Sequence, residues 1–440
     1  MGKLERLKAL IDDWSRRSGE TGARVGCDLF CFRTGKRWGI DANKGFTPAS
    51  NQKLWTTLVA LDELGPDYRW RTRFAAGSGC LYIRGGGDPS FDESCALRVA
   101  CELKERGLTR LDEVRLDDGL SSGHPWGKGW MWDDLAHGYG APIHALIMER
   151  NRVTFHFDPV SEPPKIVRVS PRFCQGAAQT MLNWTEKPEA EVEIFRIGAE
   201  QFEIKGEISR REPELEAAVA QGPEFFAEVM IGALREKGVI VSEGIRVIRG
   251  PFSERADIRM DRVSPTLAEV LHQVNKESDN LTAEVLLRTI GMARRGTLSE
   301  EEGLLRVMDW FRKAGLQAPA VIADGSGLSG YNQATPEALL NILIWAYRND
   351  PLFPVWLDSL PRYGRDGTLK NRTAVLPQRV EVAAKTGSLA GVRNLSGYFL
   401  NNEGEPLLSF SFLINGLLEE ENGEKLQDQF LQLAVTKWVN

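Results

Sequence analysis

Ser50-Asn51-Gln52-Lys53 sets a hydroxyl and an amine three residues apart, and at the start of a helix residues i and i+3 share a face. A serine hydroxyl is a poor nucleophile until a base takes its proton. Lysine can be that base when burial and neighbouring positive charge depress its pKa. Ser50 is the only serine followed by lysine at the third position, and Ser278-Asp279-Asn280 and Lys385-Thr386-Gly387 each occur once. These segments add a second hydroxyl, an amide and a second amine. The chemistry they can perform together is acyl transfer through a serine ester. Ser50 would attack and Lys53 would take its proton. Ser278 would relay a proton to the leaving amine, and Asn280 would hydrogen-bond a substrate amide. Lys385 would supply positive charge and pair with a substrate carboxylate. Gly387 would let an extended substrate lie along the strand edge beside Thr386 and Ser388. The Ser50 and Ser388 N–H groups are candidates for an oxyanion hole, with the helix N-terminus adding positive potential. Taken singly, each segment is an ordinary helix start, helix cap or turn; their uniqueness, order and local setting argue jointly for function.

The elements needed to position them are legible. Leu4, Leu7, Ile11 and Trp14 form one face of a helix. Strand-like runs follow at 23–32 and 37–41, joined by Arg33-Thr34-Gly35-Lys36. Thr47-Pro48-Ala49-Ser50 opens a helix that Leu64-Gly65-Pro66 ends. Near the other end, strands are expected at 380–386, 394–400 and 406–415, with Asn401-Asn402-Glu403-Gly404 as a hairpin turn, before a last helix at 425–439. Both chain ends therefore build one antiparallel sheet of a mixed α/β (α+β) protein. Between them, 73–257 reads as a β-rich insertion of two lobes, with strands at 80–84, 153–157, 165–169, 191–197 and 201–208 and helices at 93–106 and 224–237. Residues 1–72 and 258–440 form the split main domain, whose second part is helical at 267–274, 281–294, 300–314 and 336–347. The Ser-Asp-Asn segment is thus a corner between two helices, and Lys385-Thr386-Gly387 ends a strand.

Composition narrows the function. Of 440 residues, 55 are Lys or Arg and 61 Asp or Glu, a net charge of −6 with no basic run, which argues against a nucleic-acid partner. No uninterrupted apolar stretch has the length of a transmembrane helix. Cys27, Cys31, Cys80, Cys95, Cys101 and Cys174 form no C-x-x-C pair, so a structural zinc site is disfavoured. Pairings such as Cys80 with Cys95 stay open beside the simpler expectation of scattered thiols. The five histidines include no H-E-x-x-H, and zinc peptidases and Ser-His-Asp hydrolases are disfavoured. Gly85-Gly86-Gly87-Asp88 lacks the following Lys-Ser/Thr of a phosphate cradle and reads as a structural turn. Trp126, Trp130 and Trp132 could contact glycan, although packing is the commoner use.

The three motifs appear in the order used by serine β-lactamases and penicillin-binding proteins. The sequence most closely resembles the class C low-molecular-mass penicillin-binding proteins, the D-alanyl-D-alanine carboxypeptidase/endopeptidases. Further segments carry the resemblance: Gly85-Gly86-Gly87-Asp88-Pro89, Tyr139-Gly140-Ala141-Pro142, Asn275-Lys276, Ala283-Glu284, Asp324-Gly325-Ser326-Gly327-Leu328-Ser329, Asp366-Gly367-Thr368-Leu369 and Leu395-Ser396-Gly397-Tyr398. The resemblance implies a β-lactamase/transpeptidase-like domain interrupted by a large insertion after the first catalytic helix. It implies a serine DD-peptidase that cleaves D-Ala-D-Ala in peptidoglycan stem peptides, or D-amino-acid cross-links, through an acyl-enzyme on Ser50. β-Lactam antibiotics would act as inhibitors, and no metal or organic cofactor is needed. The family works outside the cytoplasm; Met1-Gly2-Lys3-Leu4 shows no apolar leader, so a trimmed export signal is expected. The chain departs from the family pattern at His144, at Met148-Glu149-Arg150-Asn151, and at Ser388 where Thr is common. A β-lactamase or esterase on the same scaffold is the alternative, separable by the lifetime of a penicillin adduct. A non-catalytic wall-binding scaffold would have no use for an activated serine.

Overall fold

The computed structural model describes residues 2–439 except 175, 188–190, 350, 375 and 377–379. A five-stranded antiparallel sheet joins the two chain ends, in the order Glu381–Leu389, Val392–Leu400, Pro406–Asn415, Arg24–Cys31, Arg37–Ile40. Period-2 alternation explains how Arg24–Cys31 sits in it. Val25, Cys27, Leu29 and Cys31 face a core shared with Leu7 and Trp14 of the helix Lys3–Ser18 and with Leu426 and Phe430 of the helix Glu420–Ala434. Phe412 and Phe430 stack there with ring centroids 4.3 Å apart. All nine residues of Val392–Leu400 are buried, because the opposite face of the sheet is covered as well.

That second cover is helical. The helix Lys53–Leu64 is central, and Leu267–Lys276, Asn280–Arg295, Glu300–Lys313, Pro336–Arg348 and Phe353–Ser359 pack around it. Every residue from Lys53 to Leu61 is buried, which is why this helix shows little amphipathic bias in sequence. The final helix runs from Glu420 to Ala434 and passes into a wider π-type turn, Val435–Val439.

The middle of the chain forms three further sheets. One has five strands in the order Ile240–Arg249, Arg110–Asp117, Cys80–Arg84, Arg71–Gly77, Ile258–Val263. Two have three strands each: Glu214–Ala218, Arg152–Asp158, Lys165–Ser170, and Ala177–Thr185, Gln201–Ser209, Glu191–Arg196. With the helices Glu93–Glu105 and Gly222–Glu236 they share one apolar cluster. The glycine segment at 85–88 is a turn in close contact with backbone: a Cβ on Gly86 would run into the Arg71 carbonyl. All six cysteines are free thiols; Cys27, Cys31 and Cys95 are buried and Cys101 is exposed. Among the described residues no helix is long and apolar enough to cross a membrane.

Candidate active site

Ser50 lies in a 3-10 turn, Ala49–Gln52, that leads into the helix Lys53–Leu64. The turn is forced by Ala49, which is non-glycine yet has φ +48, a left-handed conformation that costs about 1–2 kcal/mol. Neighbouring side chains hold it there. Asn394 Nδ2 donates to the Thr47 and Pro48 carbonyls at 2.9 Å each, and Thr47 N–H donates to Asn415 Oδ1 at 2.7 Å. Asn51 Nδ2 donates to the Lys385 carbonyl at 3.0 Å, tying the nucleophile turn to the strand Glu381–Leu389. Gly387 completes the contact, because a Cβ there would lie 2.7 Å from the Pro48 carbonyl oxygen.

Lys53 is wholly buried, and its Nζ lies 2.8 Å from Ser50 Oγ, 2.7 Å from Asn280 Oδ1 and 2.8 Å from the Ser326 carbonyl oxygen. A neutral amine has two N–H donors and one lone pair. Asn280 Oδ1 and the Ser326 carbonyl are acceptors only, so they take the two hydrogens and leave the lone pair for the Ser50 hydroxyl. Burial pulls the Lys53 pKa down to about 8, against the opposing pull of the Asp324, Asp279 and Glu284 carboxylates. Burial rather than a neighbouring cation therefore prepares this base. The positive-charge effect appears on the other lysine: Lys385 is held well below the ordinary lysine range by burial and then by the Lys53 charge.

The second and third motifs meet beside it. Ser278 has φ +61, a left-handed corner between the helices Leu267–Lys276 and Asn280–Arg295. Lys385 Nζ donates to Ser278 Oγ at 2.9 Å and to the Thr386 carbonyl at 3.0 Å. Asp279 caps the second helix by accepting the Thr282 N–H at 2.7 Å. Burial alone would raise the Asp279 carboxyl; Arg152, Arg150 and the Thr282 contacts outweigh it and hold it at about 2. Asn280 Nδ2 donates to the Tyr139 carbonyl at 3.1 Å. With Oδ1 on Lys53, both ends of the Asn280 amide are engaged inside the protein, so a bond to substrate would require exchanging one of them.

The motif strand Glu381–Leu389 is the outermost strand of its sheet. Its free edge is covered as far as Ala384, whose N–H donates to the Pro361 carbonyl at 3.0 Å, while the Val382 carbonyl accepts the Tyr363 N–H at 2.9 Å. Ladder alternation turns the Thr386 and Ser388 N–H groups to the same edge beyond that cover. Thr386 and Ser388 line an open cavity of about 610 Å³. The arrangement thus unites Ser50, Lys53, Ser278, Asn280, Lys385, Thr386, Gly387 and Ser388 at one place.

Some supporting residues stand in segments that carry the resemblance but had no role assigned from sequence. Asp324 is fully buried, with Oδ1 accepting from Gln52 Nε2, Gly327 N–H and Asn332 Nδ2, each at 2.9 Å. Its Oδ2 accepts from Ser329 N–H at 2.7 Å and Trp130 Nε1 at 3.0 Å. Glu284 Oε1 accepts the Gly325 and Ser326 N–H groups at 2.9 and 2.7 Å. Together they fix the loop whose Ser326 carbonyl holds Lys53. The available signal was an acidic residue followed by small ones, Asp324-Gly325-Ser326-Gly327, which lets several N–H groups converge on one carboxylate. Trp130 and Trp126 are anchors, the latter donating to the Gly140 carbonyl at 3.1 Å, whereas Trp132 is 77% exposed.

Known proteins resemble this chain over most of its length. The D-alanyl-D-alanine carboxypeptidase DacB of Haemophilus influenzae is 27% identical over 84% of this chain and 80% of its own. A D-alanyl-D-alanine carboxypeptidase of Actinomadura sp. strain R39 is 28% identical over 94% and 82%. Among solved structures, penicillin binding protein 4 (dacB) from Haemophilus influenzae superposes with a TM-score of 0.82 at 25% identity, covering 98% of this chain and 99% of that one. A predatory endopeptidase from Bdellovibrio bacteriovorus shares the fold at a TM-score of 0.54 and 16% identity, over 94% of this chain and 93% of its own. Residues 32–437 match the D-Ala-D-Ala carboxypeptidase 3 (S13) family, and the chain belongs to it.

Proposed function

We propose that this S13 peptidase is a serine DD-peptidase that cleaves the D-Ala–D-Ala bond of peptidoglycan stem peptides through an acyl-enzyme on Ser50. The observation that carries the catalytic assignment is Lys53 Nζ, 2.8 Å from Ser50 Oγ with its other bonds made to acceptors. Lys53 takes the Ser50 proton as Oγ attacks the carbonyl carbon of the penultimate D-alanine. Negative charge develops on the carbonyl oxygen, and in this reading the Ser50 and Ser388 N–H groups stabilise it. The proton then passes to the leaving amine through Ser278, which Lys385 contacts at 2.9 Å. Free D-alanine departs, and water resolves the ester with Lys53 again as base. Asn280 holds Lys53 in position. Lys385, Thr386 and Ser388 receive the terminal carboxylate at the strand edge, where Gly387 leaves room for the peptide. No cofactor enters these steps.

The same site accepts β-lactams, whose acyl group would be trapped on Ser50. The open strand edge also suits an acceptor amine carrying a longer chain, so hydrolysis of D-amino-acid cross-links belongs to this reading. Peptidoglycan as substrate places the working enzyme outside the cytoplasm. The division of the chain stays a split main domain around an inserted middle segment, but the middle sheet takes in Arg71–Gly77 and Ile258–Val263, so its edges fall at 71 and 263 rather than at the expected 73 and 257. The test is Ser50→Ala, which should abolish both penicillin labelling and D-alanine release. Labelling retained in that variant would refute the nucleophile.

A further inference from the structure

Thr368 stands outside the three motifs but next to the third. Its Oγ1 lies 2.7 Å from Thr386 Oγ1, and both residues line the open cavity of about 610 Å³ at the strand edge. Thr368 belongs to a short 3-10 turn, Gly367–Leu369, that is fixed on three sides. Gly367 (φ +58) packs so tightly on the helix Leu267–Lys276 that a Cβ would lie 2.7 Å from the Lys276 carbonyl oxygen. Asp366 accepts Lys276 Nζ and the Arg362 N–H, each at 2.8 Å. Leu369 is buried beneath the turn. A solvent-facing threonine on so constrained a turn is aimed rather than incidental.

Each threonine hydroxyl has one hydrogen and can accept at two lone pairs. Between the two oxygens one hydrogen is spent. An arriving carboxylate offers two acceptor oxygens, and both hydroxyls can rotate to donate to it. We propose that Thr368 is a substrate-binding residue, which with Thr386 forms a two-hydroxyl clamp on the terminal carboxylate of the scissile dipeptide. The inference rests on the reading of the strand edge as the carboxylate site. It assigns part of the selectivity for a free C-terminus to a residue contributed by the Asp366–Leu369 segment rather than by the motif strand. A neutral donor pair suits this position. Lys385 is buried behind it, so the hydroxyls meet the carboxylate at the solvent side while the amine contributes from within.

The experiment compares kcat/KM for a diacylated L-Lys-D-Ala-D-Ala peptide with that for the same peptide ending in a carboxamide, using the full chain. The ratio is independent of the folded fraction of any variant. Wild type should prefer the free acid. Thr368→Val should lower that preference about tenfold, as loss of one hydrogen bond to a charged group implies, and Thr368→Ser should restore it. A wild-type preference that Thr368→Val leaves intact would overturn this inference alone. Equal losses on both peptides would also overturn it, because a purely structural turn does not distinguish them. A wild-type enzyme indifferent to the carboxamide would overturn the carboxylate site itself, and the clamp with it.

Discussion

Glu284 should tolerate glutamine and not alanine. Its carboxyl is pushed up to about 8 by burial and by the Asp324 and Glu300 charges, so at neutral pH it carries a proton and glutamine has nearly its shape and charge. Glu284→Ala would strand the buried Gly325 and Ser326 N–H groups, a loss of about 2–4 kcal/mol. Urea unfolding should show a midpoint close to wild type for Glu284→Gln and a clear drop for Glu284→Ala. At this scale the sequence was informative about chemistry and silent about support. Ser50 and Lys53 could be paired because three residues along a helix is a local relation. The cradle of Lys53 could not be foreseen, because it is made by Ser326 and Asn280, which are close only in three dimensions. The same holds for Asn280, whose amide was expected to face substrate and is occupied at both ends by Lys53 and Tyr139.

Elements with local signals were legible, and those with distant partners were not. The hairpin Val392–Leu400 and Pro406–Asn415 follows from its turn residues and alternation. Ala177–Thr185 pairs in parallel with Gln201–Ser209, which follows it in the chain only after the strand Glu191–Arg196, and nothing in its own residues names that partner. Phe353–Ser359, only seven residues long, gives too little period to recognise. One non-local contact matters to catalysis. Arg152, at the start of the strand Arg152–Asp158, forms a buried ion pair with Asp279 and bonds Glu216 at 2.8 Å. It follows a turn in which Glu149, Arg150 and Asn151 all have left-handed φ between +49 and +55. The middle sheets thereby clamp the Ser278 corner. Arg152→Ala should cost about 3–5 kcal/mol, the usual loss when one partner of a buried pair is removed. Penicillin acylation should slow in the same variant, because Asp279 caps the helix that presents Asn280. Thermal unfolding together with the acylation rate would check both.

The whole molecule is a catalytic platform assembled from both chain ends and braced by the middle segment. That assembly was readable because the terminal strands are bounded by turn residues, and the long stretch between Ser50 and Ser278 had to go somewhere. Less readable was how closely the middle sheets join the site, through Arg152, Tyr139 and Trp130. At this scale a peptidase and a β-lactamase differ in how water reaches the ester. Glu284, a buried acidic residue beside the Lys53 cradle, is spent on backbone N–H groups and has no bond of its own to the Ser50 hydroxyl. The penicillin adduct should therefore persist for minutes or longer, where a β-lactamase would clear it in well under a second. Intact-protein mass spectra taken after penicillin removal would follow its decay.

The central claim is that neutral Lys53 activates Ser50, and the pH dependence of penicillin acylation tests it most directly. A base must be unprotonated, so the second-order rate constant should rise with pH through a midpoint near Lys53's value of about 8. Lys53→Arg, which keeps its charge, should lose acylation across the range. A rate that stays flat from about pH 6 to about pH 9, or survives in Lys53→Arg, would contradict the account.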